Sequence, residues 1–83
     1  MANYQKALQL DPDHPMANNN RGVLAYQKGR WREAAEWFRK AVELDPLLAE
    51  AYSNLAASLE MLGQPREALR YYRTARELQP NKK

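Results

Sequence analysis

The chain has 83 residues, 45% hydrophobic and 28% charged, with a formal net charge of +3 and no cysteine. That length leaves room for one small core, and the absence of thiols excludes disulfides and thiolate metal sites as staples. No apolar run approaches the roughly 18 residues of a membrane span, and Asn3, Tyr4, Gln5 and Lys6 lack the basic-then-apolar layout of a secretion signal, so a soluble, cytoplasmic protein is the expectation.

Five helices are predicted, each bounded by turn residues. The first covers about Ala2 to Leu10 and stops at Asp11-Pro12, because the residue before a proline is pushed out of helical geometry. The second opens at His14-Pro15, where proline is tolerated in the first turn, and runs to about Lys28, ending at Gly29. The third spans about Trp31 to Leu44 and stops at Asp45-Pro46. The fourth covers about Leu48 to Leu62 and ends at Gly63; the fifth starts at Pro65 and continues to about Leu78, before Gln79-Pro80. Glycine suits both helix ends because it readily takes the left-handed backbone conformation. The connections are too short for anything but antiparallel neighbours, which makes the chain a row of helical hairpins.

The order of these elements repeats. Ala-Val-Glu-Leu-Asp-Pro ends at Pro46 and Ala-Arg-Glu-Leu-Gln-Pro at Pro80, 34 residues apart. At the same offset Gly29 returns as Gly63, Arg32-Glu33-Ala34 as Arg66-Glu67-Ala68, Arg39 as Arg73 and Asn20 as Asn54; Ala-Leu-Gln-Leu-Asp-Pro, ending at Pro12, is a truncated third copy. The chain therefore divides into a second-helix remnant (1–12), two full repeats (13–46 and 47–80) and a polar tail (81–83). A fixed period of this kind marks a stack in which each hairpin buries its faces against its neighbours. Gly22, Ala34, Ala41, Ala56, Ala68 and Ala75 allow close approach, while Phe38, Leu44, Leu59, Leu62, Leu69, Tyr72 and Leu78 fill the space between.

The repeat resembles the tetratricopeptide family, whose pattern is W-x2-L-G-x2-Y, then A-x3-F, then proline. Tyr52, Leu55, Ala56 and Leu59, followed by Ala68, Tyr72, Ala75 and Pro80, carry it in the last repeat. Asn18, Arg21, Gly22 and Ala25, then Ala34, Phe38, Ala41 and Pro46, carry it in the middle one, and the first copy keeps Tyr4, Ala7 and Pro12. Asn18 and Arg21 depart from it, standing where the pattern has an aromatic residue and a leucine. The resemblance implies an all-α fold, a right-handed stack of antiparallel hairpins (an α-solenoid) of about two and a third repeats. It also implies that the first helix of each hairpin lines a concave groove that takes peptides.

No catalytic constellation is present. His14 stands alone beside Asp13 and Pro15, and Ser53, Ser58 and Thr74 have no basic partner nearby in sequence. Neither a cofactor nor a metal is expected. Helical geometry, at about 100° per residue, puts Met16, Asn20, Val23 and Gln27 on one stripe flanked by Asn19 and Tyr26. The equivalent stripe one repeat on is Glu50, Asn54, Ala57 and Met61, flanked by Ser53 and Glu60. Asn20 and Asn54 are the sharpest candidates, since a carboxamide can match both N–H and C=O of an extended peptide; bridging neighbouring helices is the competing role. Some tetratricopeptide domains clamp a chaperone's C-terminal carboxylate with lysines and an arginine. These stripes hold Glu50 and Glu60 and no basic residue, which points to neutral, apolar or basic segments instead.

The second reading is self-association through open helical ends, via Tyr4, Leu8, Leu69, Tyr72 and Leu78, giving a homodimer or larger assembly. Charges at pairing distance (Arg32 with Glu36, Glu36 with Lys40, Arg39 with Glu43, Arg73 with Glu77) read as a salt-laced solvated face. The basic surplus gathers at Arg66, Arg70, Arg73, Arg76, Lys82 and Lys83 with few stacking aromatics, which weighs against nucleic acid as the partner.

Overall fold

A computed structural model describes residues 14–79. Their regular structure is helical throughout: α1 (Pro15–Gln27), α2 (Trp31–Leu44), α3 (Ala49–Met61) and α4 (Pro65–Leu78). Among the described residues there are four helices, matching the second to fifth of the five that the sequence predicts. The one expected over Ala2 to Leu10, with Tyr4 and Leu8, lies outside the described residues. The remaining boundaries agree with expectation to within one residue at each end.

Local chemistry explains where each helix starts and stops. His14 caps α1: its Nδ1 accepts the Ala17 N–H at 3.2 Å. Both hairpin turns close in the same way. Gly29 (φ 78°) and Gly63 (φ 81°) hold the left-handed conformation. Around them Gly29 N–H donates to Tyr26 O at 2.9 Å and Arg30 N–H to Ala25 O at 2.9 Å; Gly63 and Gln64 repeat this pair to Glu60 and Leu59. That double bond pattern is the Schellman motif, which satisfies otherwise orphaned carbonyls at a helix end.

The helices pack in chain order, α1 on α2, α2 on α3 and α3 on α4, and α1 also meets α3 directly. Phe38, Leu55 and Leu59 are the large apolar side chains fully buried at the centre, surrounded by Ala34, Ala41, Ala51, Ala56 and Ala68. Alanine at those positions brings backbones close, and Gly22 goes further: a Cβ there would lie 2.4 Å from Phe38 Cε1. The two residues that depart from the family pattern are accommodated locally. Asn18 is buried and turns its Nδ2 back to His14 O at 2.9 Å.

In the second hairpin Tyr52 stacks on Tyr71, with ring centroids 6.2 Å apart. Their repeat counterparts are Asn18 and Trp37, and Asn18 is too short to cover the indole. Arg21 does so instead, its guanidinium 4.7 Å from the Trp37 ring centroid, a cation–π contact. Trp37 and Tyr71 thus each meet a ring or guanidinium from the first helix of their own hairpin.

The salt-laced face does not form. Among the described residues the ion pair within 4.0 Å is Arg30–Glu33 at 3.6 Å, not any of the four pairs predicted from spacing. Exposed side chains one turn apart gain too little from pairing to offset the entropy of holding a fixed geometry.

Candidate functional site

α1 and α3 lie side by side, and their N-terminal halves carry the polar contacts that hold them so. Asn54 Nδ2 donates to Asn19 Oδ1 at 3.0 Å, and Asn19 Nδ2 donates to Glu50 Oε2 at 3.3 Å. Asn19 is completely buried. The sequence reading put it at the flank of a ligand-facing stripe; the structure puts it beneath that stripe, as a bridge between the helices. A buried carboxamide bonded through both its donor and its acceptor fixes a helix pair in register, because breaking it leaves polar groups without partners.

The other stripe residues rise from this bridge to solvent. On α1, Met16 and Gln27 are exposed and Asn20 and Val23 half-buried; on α3, Glu50 and Met61 are exposed and Ser53, Asn54 and Ala57 half-buried. The bridge also orients Asn54: one amide hydrogen goes to Asn19, leaving the carbonyl oxygen and the second hydrogen directed away from that bond. Among the described residues of these stripes no lysine or arginine occurs, and Glu50 and Glu60 contribute the charge.

The far end of the face is aromatic. Tyr26 meets Trp31 edge to face at 4.9 Å between centroids. Tyr72, assigned from sequence to the self-association set, donates its O–H to Glu60 Oε1 at 3.0 Å and so joins α4 to the flank of the α3 stripe. Burial, then the hydrogen bond and negative charge of Glu60, then the charge of Tyr26, raise the Tyr72 phenol above its ordinary 10.0. This link spans two sets that the sequence kept apart, since a tyrosine and a glutamate twelve residues away on different helices have no pattern that announces them. Of the remaining self-association residues, Leu69 is exposed and Leu78 half-buried.

On another side, between α2 and α3, runs a furrow of about 410 Å³ lined by Arg32, Ala35, Glu36 and Arg39 of α2 and by Leu59 and Leu62. Among the described residues no group of three or more His, Cys, Asp and Glu could hold a metal ion. No helix among them is long and apolar enough to cross a membrane.

A family model described as tetratricopeptide repeat matches residues 14–81. Three solved structures illustrate the likeness. The first repeat domain of Spaghetti (RPAP3) bound to HSP90 peptide SRMEEVD superposes with a TM-score of 0.86 at 29% identity, covering 94% of this chain and 62% of that one. A crystal structure of MamA protein gives 0.79 at 25% identity over 95% and 43% of the two chains, and MamA MSR-1 C2 gives 0.81 at 28% over 96% and 46%. The chain thus spans less than two thirds of each of these structures. No curated protein matches it.

Proposed function

The chain belongs to the tetratricopeptide repeat family, and from that premise we propose that it is a protein-interaction module holding a partner's peptide segment across α1 and α3. The observation that carries this reading is the Asn19 bridge. It ties α1 to α3 and takes up one amide hydrogen of Asn54, so the rest of that carboxamide is left for a ligand backbone crossing the two helices. Asn54 and Asn20 occupy the same place in successive repeats, so an extended peptide meets a carboxamide once per repeat. Val23, Ala57, Met16 and Met61 then receive small apolar side chains, methionine adapting to their shape.

The Spaghetti domain holds an HSP90 peptide with three acidic side chains. The stripes here carry Glu50 and Glu60 without a compensating cation, so the ligand of this chain is neutral to basic. A groove of two helices buries little area, and ordering a peptide costs free energy, which sets affinity in the micromolar range, about −8 kcal/mol.

A random-peptide display library panned on the chain, with counter-selection on Asn20→Ala/Asn54→Ala, tests the proposal. The expected result is a shared motif, poor in Asp and Glu, that the double variant rejects while retaining wild-type helicity. Motifs bound equally by the variant, or no enrichment at all, would reject the groove.

A further inference from the structure

The repeat supplies an internal control for the outward side of α4. On α2, the corresponding positions are covered by the neighbouring helices, Phe38 facing Gly22 of α1 and Ala35 bordering Leu59 and Leu62: Ala35 is 5% exposed, Phe38 1% and Val42 9%. One repeat on, the same positions are Leu69, which is 57% exposed, the half-buried Tyr72 and the exposed Arg76. The shape that receives a helix on α2 therefore recurs on α4. Its charge does not. The α2 residues bordering the seam with α3 are Arg32, Glu36 and Arg39; their counterparts are Arg66, Arg70 and Arg73, and Val42 has become Arg76. Helix formation and packing are met equally well by the balanced set, so the fold does not demand this replacement.

We propose that this side of α4 docks an acidic amphipathic helix of a partner protein, lying where α3 lies on α2. Its apolar stripe, built of small residues, lands on Leu69 and the Tyr72 ring, and carboxylates along one flank meet Arg73 and Arg70, with Arg76 beside Leu69 within the stripe. Arg66, Arg70, Arg73 and Arg76 make no ion pair within 4.0 Å among the described residues; Glu77 lines a hollow with Arg73 and Arg76, Glu67 lines another with Arg70, and Glu60 holds the Tyr72 hydroxyl. A second copy of the chain is a poor occupant, since two-fold pairing would set these arginines against one another. Single-stranded nucleic acid is also disfavoured. It needs stacking rings, whereas Tyr71 is already stacked on Tyr52 and the Tyr72 hydroxyl is tied to Glu60. This site meets the flank of the α1–α3 face at the Tyr72–Glu60 contact but does not rest on that face's assignment.

The test is fluorescence anisotropy on the full chain with two labelled helical peptides that share an alanine–leucine stripe, one flanked by glutamates and the other by glutamines. The glutamate peptide should bind at least about tenfold more tightly at low salt, the difference shrinking as ionic strength rises. Arg70→Glu with Arg73→Glu lies on exposed positions and should keep wild-type circular dichroism. It should lose the glutamate peptide and gain a lysine-flanked one. Equal binding of the glutamate and glutamine peptides, an unaffected double variant, displacement by equimolar oligo(U), or a concentration-dependent dimer that excludes the peptide would each overturn the proposal.

Discussion

Gly22→Ala should destabilise the chain although alanine is the better helix former. In a helix interior the exchange alone stabilises by about 1 kcal/mol. Here the new Cβ would lie 2.4, 2.6 and 2.9 Å from three atoms of the Phe38 ring, against an optimal carbon separation of about 3.5–4.0 Å. Relief requires a movement of about 1 Å. The ring, 1% exposed and enclosed by alanines, has no free rotamer to take, so α1 must shift off α2. Overpacking of this kind costs about 1–3 kcal/mol. With the contact this short the upper end applies, leaving a net loss of about 2 kcal/mol after the helical gain. For a domain of this size that lowers Tm by about 8–16 °C, measurable by thermal melts followed in the far ultraviolet. Phe38→Leu, placed in the Gly22→Ala background, should recover part of the loss, although alone it destabilises by opening a cavity. The second hairpin is the built-in contrast: Ala56 stands at the position of Gly22 and the less buried Tyr72 at that of Phe38. A Gly22→Ala chain melting higher than wild type would refute the reasoning, because it would mean that the ring does not press on that glycine.

Two further predictions concern the polar contacts. Asn19→Ala removes the bridge between α1 and α3 and strips a hydrogen bond from each of Glu50 and Asn54; the expected cost is about 1–3 kcal/mol in urea unfolding, and an unchanged midpoint would show that the bridge contributes nothing. Tyr72 holds its proton more tightly folded than unfolded, so its contribution is complete below the ordinary pKa of 10.0 and is lost as pH rises through the higher native value. Wild type should therefore lose stability faster than Tyr72→Phe across the alkaline range, and parallel curves would exclude the Glu60 contact.

Much of the fold could be read from the residues because its determinants are local. Proline and glycine punctuation located four helices to within a residue, and the Pro46-to-Pro80 period identified the repeat before any contact was known. Interactions between side chains of different helices were less legible. The Asn18-Asn19-Asn20 run shows three identical residues to a sequence reader, yet Asn18 folds back on His14 and Asn19 bridges to α3. The spacing of Arg32, Glu36, Lys40, Arg39 and Glu43 permitted ion pairs that solvated side chains do not hold. Arg21 reads as a misfit to the family pattern until Trp37 is seen beneath it.

Local signals suffice for the helices, their turns and the hairpin order, since φ restrictions at proline, left-handed glycine and the period of apolar residues act within a few positions along the chain. Packing between helices sets which asparagine is sealed between them, which aromatic ring takes which partner, and that Tyr72 reaches Glu60. Those outcomes depend on rotations of one helix about another, and a turn of about 100° per residue moves a side chain from solvent to core without changing any local signal.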